Sequence, residues 1–151
     1  MIVRDPRESA QKCSLTPLRG VEGVRFVTHR GDQRVDVGRR ILLSPGGEEL
    51  TRADRGPGLL VIDCAWRKVE KLRATIDGEL VVRRLPRLAT AYPRKSRVHE
   101  DPEEGLASIE AIYAAWSILV RPEPRLLVGY RWADEFLRLN PALERRAERA
   151  S

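Results

Sequence analysis

Apolar positions in the first half of the chain fall into short runs that are typical of β-strands. The run at 58–64, GLLVIDC, is apolar almost throughout, whereas 23–29, GVRFVTH, alternates in polarity. An uninterrupted apolar strand is expected at the centre of a parallel sheet covered by helices. The shorter runs at 23–29 and 40–45, the latter ended by its proline, are expected at sheet edges. A short helix is predicted over 66–74, and a further strand over 79–85.

The second half of the chain changes to helical spacing. Helices are predicted over 106–120, 123–140 and 141–150, the last with a proline in its first turn. The pattern therefore predicts an α/β protein, with a mostly parallel sheet in an N-terminal lobe of residues 1–87. An all-helical C-terminal lobe of residues 88–151 is expected to follow it.

The chain is basic, and part of its charge is clustered. Its 28 lysines and arginines exceed its 22 acidic residues, giving a net charge of +6. Residues 81–97 contain no acid and carry six basic residues that are suited to phosphate contacts with nucleic acid: Arg83, Arg84, Arg87, Arg94, Lys95 and Arg97. An ordinary solvated surface that is rich in arginine is the alternative interpretation of the same residues.

Several other chemistries are disfavoured by the sequence. Cys13 and Cys64 are far apart and outside any CxxC pair, so neither a disulfide framework nor a zinc site is expected. His29 and His99 have no ligand spacing and are predicted to be surface residues. No metal, no membrane span and no export signal are expected, and a cytoplasmic location follows as the default.

Polar residues end the most apolar strand. Asp63 is placed at the carboxyl end of the run at 58–64, where open parallel sheets bind ligands, and Trp66 follows it closely. The carboxylate could orient or deprotonate a reacting group, and the indole could form a flat wall against a purine or a sulfonium. From position alone, a helix-capping Asp63 and an anchoring Trp66 are at least as well supported.

Six motifs occur in an order that resembles one enzyme family. They are KCSLTPL, ILLSPGGEELTRADRG, GLLVIDCAW, RRLPRLATAYP, GLASIEAIYAAWSIL and YRWADEFLRLNP, and together they span nearly the whole chain. This order is similar to that of the small-subunit ribosomal RNA aminocarboxypropyltransferases. The tRNA-uridine aminocarboxypropyltransferases of the DTW type share the strand-end aspartate with a tryptophan, and are the nearest alternative.

The resemblance implies a fold and a reaction. The fold would be SPOUT-like, with a trefoil knot, and would bind S-adenosylmethionine between the two lobes. The reaction would transfer the 3-amino-3-carboxypropyl group to N3 of a uridine or pseudouridine in RNA and release methylthioadenosine, without a metal. Small-subunit ribosomal RNA or a pre-ribosome is the expected partner, with tRNA as the alternative, and the protein is expected to be a monomer.

The resemblance also assigns roles to individual positions. Asp63 matches the essential aspartate, and Trp66 matches the tryptophan that packs on the sulfonium region. The remaining cofactor-binding positions carried over from the family are Ser14, Leu43, Pro45, Ile62, Leu88, Ala107, Ser108 and Ala111. For Leu43, Ile62, Leu88 and Ala111, plain core packing is a strong alternative.

This chain departs from the family pattern in the segment TAYPRKSRVHEDPEEG, residues 90–105. Tyr92 stands where the family usually has an asparagine. The departure puts adenine recognition and the choice of RNA in doubt. The departure favours a non-catalytic RNA-binding module as one alternative, although the presence of Asp63 and Trp66 opposes it. A SPOUT-like RNA methyltransferase with the same cofactor is the other alternative, which the DCAW motif disfavours.

Overall fold

The computed structural model describes residues 1–4, 15–64, 66–92 and 106–144, except for the side chains of Thr16 and Trp66. Part of the predicted site and several other residues discussed above lie outside these ranges: Cys13, Ser14, Arg94, Lys95, Arg97 and His99.

A five-stranded parallel sheet is the main element of the fold. Its strands, in chain order, are β1 (Ile2–Arg4), β2 (Phe26–Thr28), β3 (Val35–Glu49), β4 (Gly58–Asp63) and β5 (Ile76–Arg84). They lie in the order β2-β1-β4-β3-β5, and every neighbouring pair is parallel. The predicted α/β class is therefore confirmed, and so is the central position of the strand that ends at Asp63.

Two features of the sheet were predicted wrongly. β1 was not expected, because three residues are too few to show a periodic pattern. β3 is an internal strand rather than an edge strand, and it continues past Pro45 to Glu49. Leu43 and Glu48 both pair with Arg83 of β5, so residues 44–47 form a bulge in β3. Pro45 lies in this bulge, where the backbone needs no hydrogen bond to β5, and therefore does not end the strand.

The predicted helices differ in how well they agree with the structure. The end of the helix predicted over 141–150 lies outside the described residues. α2 (Ser108–Leu119) agrees closely with the predicted helix over 106–120. The predicted helix over 123–140 is instead a 3-10 helix, Pro124–Leu127, followed by α3 (Ala133–Leu139). Gly129 separates them, and its φ of 84° is unsuited to a helix.

The predicted helix over 66–74 is a 3-10 helix, Trp66–Lys68, that continues into α1 (Val69–Arg73). None of the helices in the described ranges is long and apolar enough to cross a membrane.

Core side chains occupy both faces of the sheet. On one face, Val61 of β4 and Ile41 of β3 pack with Ile109 and Tyr113 of α2, and we call this the α2 face. On the opposite face, side chains such as Leu60 pack around α1. Because β-strand side chains alternate, Asp63 lies on the same face as Val61. The carboxylate of Asp63 therefore lies on the face of the sheet that α2 covers.

His29 corrects one sequence-based expectation. It is buried rather than at the surface, with its Nε2 atom 2.8 Å from the hydroxyl of Thr75. The Thr75 hydroxyl already donates to the carbonyl of Leu72, so Nε2 is the donor to Thr75. His29 thus ties the end of β2 to the turn before β5, and its role is structural.

Candidate active site

The carboxylate that ends β4 lies beside a buried arginine. Arg4 of β1 and Asp63 of β4 are direct partners in the parallel register. The Nε atom of Arg4 lies 3.5 Å from Oδ2 of Asp63, with the two side chains 6% and 15% exposed. Such low exposure makes the interaction stronger than a surface ion pair, because little water screens it.

The rest of the Arg4 guanidinium is less well satisfied. Its Nη1 and Nη2 atoms are both buried, and neither makes a hydrogen bond to the part of the chain that the structure describes. Buried polar groups in folded proteins are nearly always hydrogen-bonded, and a charged donor without a partner is especially costly. Arg4 did not emerge from the sequence, because its position beside Asp63 depends on the strand order.

The bulge of β3 brings two predicted cofactor residues to this edge of the sheet. Leu43 is half-buried and packs against the core of the α2 face, and Pro45 is exposed within the bulge. Gly47 closes the bulge against β5, where an added Cβ would lie 2.6 Å from the carbonyl oxygen of Val82. Only glycine allows this approach of the two backbones, so the path of the bulge depends on Gly47.

The segment after β5, residues 88–92, is held by a buried side chain from the C-terminal end of α3. Asn140 accepts from the Ala89 N–H through Oδ1 and donates to the Ala89 carbonyl through Nδ2, each at 2.8 Å. Its Nδ2 also donates to the carbonyl of Phe136. The backbone at Ala89, next to Leu88, is therefore fixed by a residue 51 positions away.

A fully buried carboxylate holds the other half of the same segment. Glu110 of α2 is 0% exposed. Its Oε1 accepts from the hydroxyl of Thr90 at 2.6 Å and from the N–H of Ala107 at 2.9 Å, and its Oε2 accepts from the N–H of Ala91 at 2.8 Å. One side chain thus joins the 88–92 segment to the first turn of α2. The sequence shows Glu110 within a motif but gives no sign of this role.

The predicted cofactor residues do not all lie on one face. Leu43, Leu88 and Ala107 pack against the core of the α2 face, which is also the face of Asp63. Ile62, in contrast, packs against the core of the opposite face, as alternation along β4 requires. From that position only the backbone of Ile62 is available to a ligand beside Asp63.

The two remaining predicted cofactor residues on α2, Ser108 and Ala111, are both half-buried and lie in its first turn. The unusual Tyr92 packs edge-on against Trp132, with ring centroids 5.3 Å apart.

Trp132 also packs against Tyr130, with ring centroids 5.9 Å apart. Burial, followed by the negative charge of Glu110, raises the pKa of Tyr130 well above its usual range. Tyr130 therefore stays neutral at physiological pH. Tyr92 is thus part of an aromatic cluster that packs the 88–92 segment against the residues before α3.

Two of the predicted RNA-binding arginines are engaged in ion pairs. Arg83 donates from Nε to Asp54 at 3.0 Å and from Nη1 to the carbonyl of Val82 at 2.9 Å. Arg84 lies 3.7 Å from Glu49, and both of these side chains are well exposed. Arg87 is also exposed.

Burial raises the pKa of Asp54, but the N–H of Thr51 and the Arg83 guanidinium outweigh that effect and hold the pKa below its usual range.

A polar cavity of about 470 Å³ lies beside Arg83, near the start of β4. Its lining contains three arginines and one carboxylate: Arg39, Arg55, Arg83 and Asp54. Asp63 does not line it, because Asp63 ends β4 whereas the cavity meets the residues that precede that strand. The cavity and the Arg4–Asp63 pair are therefore separate features of the molecule.

Known proteins are similar to this chain in sequence and in fold. A family model described as "Ribosome biogenesis protein, C-terminal" matches residues 41–150. The chain belongs to this family. The 16S rRNA aminocarboxypropyltransferase of Halobacterium salinarum is 34% identical over 139 residues, which are 88% of this chain and 76% of that protein. The resemblance inferred from the six motifs is thereby confirmed.

A solved structure agrees with this assignment. The SAM-dependent rRNA:acp-transferase from Vulcanisaeta distributa superposes on the chain with a TM-score of 0.71 at 29% identity. The match covers 97% of this chain and 81% of the other.

The residues on the α2 face fit S-adenosylmethionine in chemical character. Leu43, Leu88 and Ala107 supply half-buried apolar surface, which suits an adenine ring and an aliphatic chain. Asp63 supplies an acidic group for a cationic or hydrogen-donating partner. The buried Nη atoms of Arg4 supply donors for an anionic oxygen. A zwitterionic nucleoside offers a counterpart to each of these groups.

Proposed function

We propose that this protein transfers the 3-amino-3-carboxypropyl group of S-adenosylmethionine to N3 of a uridine or pseudouridine in small-subunit ribosomal RNA and releases methylthioadenosine. Membership of the family supports the reaction class. One structural observation carries the assignment of the site: Asp63 ends the central strand on the α2 face, 3.5 Å from the buried Arg4. Parallel α/β sheets bind ligands beyond such strand ends.

Asp63 is the proposed catalytic residue. When bound, S-adenosylmethionine supplies a carbon whose bond to sulfur breaks with its electron pair moving to sulfur. Asp63 accepts a hydrogen bond from the uridine N3–H and takes that proton as N3 bonds to the carbon. Arg4 keeps the Asp63 side chain in place, because the guanidinium attracts it across the β1–β4 pair.

The cofactor positions carried over from the family form the rest of the proposed site. Leu43, Leu88 and Ala107 would contact the nucleoside and the aliphatic part of the cofactor, and their shared position against one core supports this. Ile62 would contribute through its backbone. The set is completed by Pro45 in the bulge, by Ser108 and Ala111 in the first turn of α2, and by two further positions taken from the resemblance alone: Ser14 and Trp66.

The proposed RNA surface extends from Arg84 and Arg87 toward the arginine-lined cavity. Arg84 is exposed despite its ion pair with Glu49, and exposed pairs exchange readily for phosphate contacts. Arg39 and Arg55 place two further guanidinium groups beside Arg83. Arg94, Lys95 and Arg97 are proposed to belong to the same surface.

We further propose a SPOUT-like trefoil knot and a helical lobe of residues 88–151 closing the cofactor crevice. The parallel sheet and the family support the first, and the helical secondary structure of residues 108–119 and 133–139 supports the second. The protein is proposed to act as a monomer in the cytoplasm, and light scattering at working concentration tests the first of these two statements.

Labelled cofactor gives a direct test of the reaction. Purified protein is incubated with unmodified small-subunit rRNA and S-adenosylmethionine labelled either in the carboxyl group or in the methyl group. We expect carboxyl label in the RNA and methylthioadenosine as the small product. Methyl label in the RNA with S-adenosylhomocysteine would instead identify a methyltransferase. Label confined to a parallel tRNA reaction would support the DTW-type alternative.

The role of Asp63 is tested by Asp63→Asn, which keeps the side-chain volume and removes the charge. Transfer should fall by roughly a hundredfold or more while the fold persists. Asp36→Asn is a matched control on β3, where Asp36 is exposed and only accepts from the nearby N–H of Gly38. Full activity of Asp63→Asn would refute the catalytic role of Asp63, because the negative charge would then be dispensable for transfer.

The RNA surface is tested by the salt dependence of binding. Changing both Arg84 and Arg87 to glutamine should lower the slope of log affinity against log salt by about one unit per lost phosphate contact. Affinity for S-adenosylmethionine should not change. Arg34→Gln is the control, because Arg34 is an exposed arginine paired with Asp77 away from this surface. An unchanged slope in the double variant would refute the assignment of these two arginines.

A further inference from the structure

Arg4 has more hydrogen-bonding capacity than its surroundings use. Its residue exposure is 5%, and its Nε atom lies 3.5 Å from Oδ2 of Asp63. The Nη1 and Nη2 atoms are buried, and no described residue accepts a hydrogen bond from them. A buried charged donor without an acceptor destabilises a fold, so its presence indicates that an acceptor meets it in a functional state.

The geometry of a guanidinium limits what that acceptor can be. A guanidinium presents one edge through Nε and a second edge through Nη1 and Nη2, and each edge matches the two oxygens of a carboxylate. Asp63 lies at the first edge of Arg4. The second edge therefore suits a planar group with two oxygens, and a carboxylate is the closest match.

We infer that the Nη1–Nη2 edge of Arg4 binds the carboxylate of the methionine portion of S-adenosylmethionine. This inference rests on the proposed function. The transferred group carries that carboxylate, and only the Cα and Cβ atoms separate it from the reacting carbon. Arg4 would thus bind S-adenosylmethionine through the aminocarboxypropyl group that is transferred. Asp63, on the other edge of the same guanidinium, would face the uridine base that accepts the group.

Burial favours the cofactor over the RNA backbone as the source of the oxygens. Phosphates of a folded RNA are contacted by arginines that reach into solvent, such as Arg84 and Arg87. Arg4 instead lies within the sheet, between β2 and β4, with its side chain 6% exposed. A small ligand that enters a crevice can reach such a position, whereas a polymer backbone cannot.

The test compares two ligands that differ in this group. S-adenosylmethionine carries the aminocarboxypropyl group, and methylthioadenosine lacks it. Isothermal titration calorimetry should show that Arg4→Met weakens S-adenosylmethionine binding by about tenfold to a hundredfold, which is the range for loss of a charge-assisted pair. Methylthioadenosine affinity should stay within about threefold of wild type, since the nucleoside contacts are unchanged.

A second variant keeps the inference testable if Arg4→Met does not fold. Arg4→Lys retains the positive charge beside Asp63 but has no two-pronged edge, so it should also lose selectivity for S-adenosylmethionine over methylthioadenosine. Arg40→Met is the control, because Arg40 lies on β3 and donates from Nε to the carbonyl of Val37. Its ratio of the two affinities should equal that of wild type.

The outcomes separate the inference from the proposed function. Equal losses for both ligands, or wild-type selectivity in Arg4→Lys, would overturn the role of Arg4 while leaving wild-type transfer activity intact. Wild-type protein that binds neither ligand would contradict the proposed function itself. A selective loss with an unchanged melting temperature measured without ligand would support the carboxylate site.

Discussion

Glu110 is the residue on which the shape of the proposed pocket depends most directly. The change Glu110→Gln is nearly isosteric and replaces one carboxylate oxygen with an NH₂ group. Three donors converge on this carboxylate, two of them on Oε1 and one on Oε2. Glutamine can keep its oxygen at the Oε1 position, but its NH₂ then faces the N–H of Ala91.

The magnitude follows from these three bonds. One buried N–H loses its acceptor, which costs about 1–3 kcal/mol, and the two remaining hydrogen bonds each lose the contribution of a charged acceptor. The relief of burying a neutral amide instead of a carboxylate offsets part of this cost. We expect a net loss of about 2–4 kcal/mol in the free energy of unfolding, and a decrease in melting temperature of roughly 5–15 °C.

Thermal denaturation and cofactor titration check this prediction together. S-adenosylmethionine affinity should fall as well, because Leu88 lies in the segment that Glu110 and Asn140 hold. Glu135→Gln is the matched control: Glu135 is on α3, is well exposed and pairs with Arg138. It should leave both quantities unchanged. A Glu110→Gln protein with wild-type melting temperature and affinity would refute the proposed anchoring of the 88–92 segment.

Two further predictions concern the β3 bulge and the Arg83 ion pair. Gly47→Ala should lower both melting temperature and cofactor affinity, because its Cβ would lie 2.6 Å from a backbone oxygen of β5, whereas Gly46→Ala should do neither, since nothing lies within 4 Å of its Cβ. Equal behaviour of the two variants would contradict the bulge geometry. Asp54 has a depressed pKa in the folded state, so its stabilising contribution is present above the ordinary carboxyl pKa of 3.8 and is lost as pH falls below it. Asp54→Asn should therefore melt below wild type at neutral pH, and the gap should close in acid; a gap that is constant with pH would refute the charge pairing with Arg83.

The strongest local patterns were sufficient to predict their elements. β4 was predicted because residues 59–62 form a continuous apolar run, and α2 because its apolar positions recur at helical spacing. β1 could not be predicted, since its strand conformation comes from pairing with β2 and β4, far along the chain. The prediction of one helix over 123–140 was wrong. The apolar spacing continues through Gly129, but the φ of Gly129 is positive and interrupts the helix.

The proposed site could be inferred from the sequence only where a single residue carried the information. Asp63 follows from its place at a strand end, and that argument needs no partner. Arg4 becomes part of the site only through the register of two parallel strands, 59 positions apart in the chain. Glu110 is an ordinary first-turn acid in the sequence, and its three hydrogen bonds exist because α2 packs against the 88–92 segment.

Charge along the sequence is a poor guide to charge in space. Residues 81–97 contain no acid, yet Arg83 and Arg84 each find one from a distant segment, in Asp54 and Glu49. Because Asp54 is itself fixed by the N–H of Thr51, the pair holds the Arg83 guanidinium in one orientation. Because its guanidinium is already paired with Asp54, Arg83 is less available for phosphate contacts than its position in a basic segment of the sequence indicates. We therefore expect Arg84 and Arg87 each to contribute more than Arg83 to the salt-dependent binding.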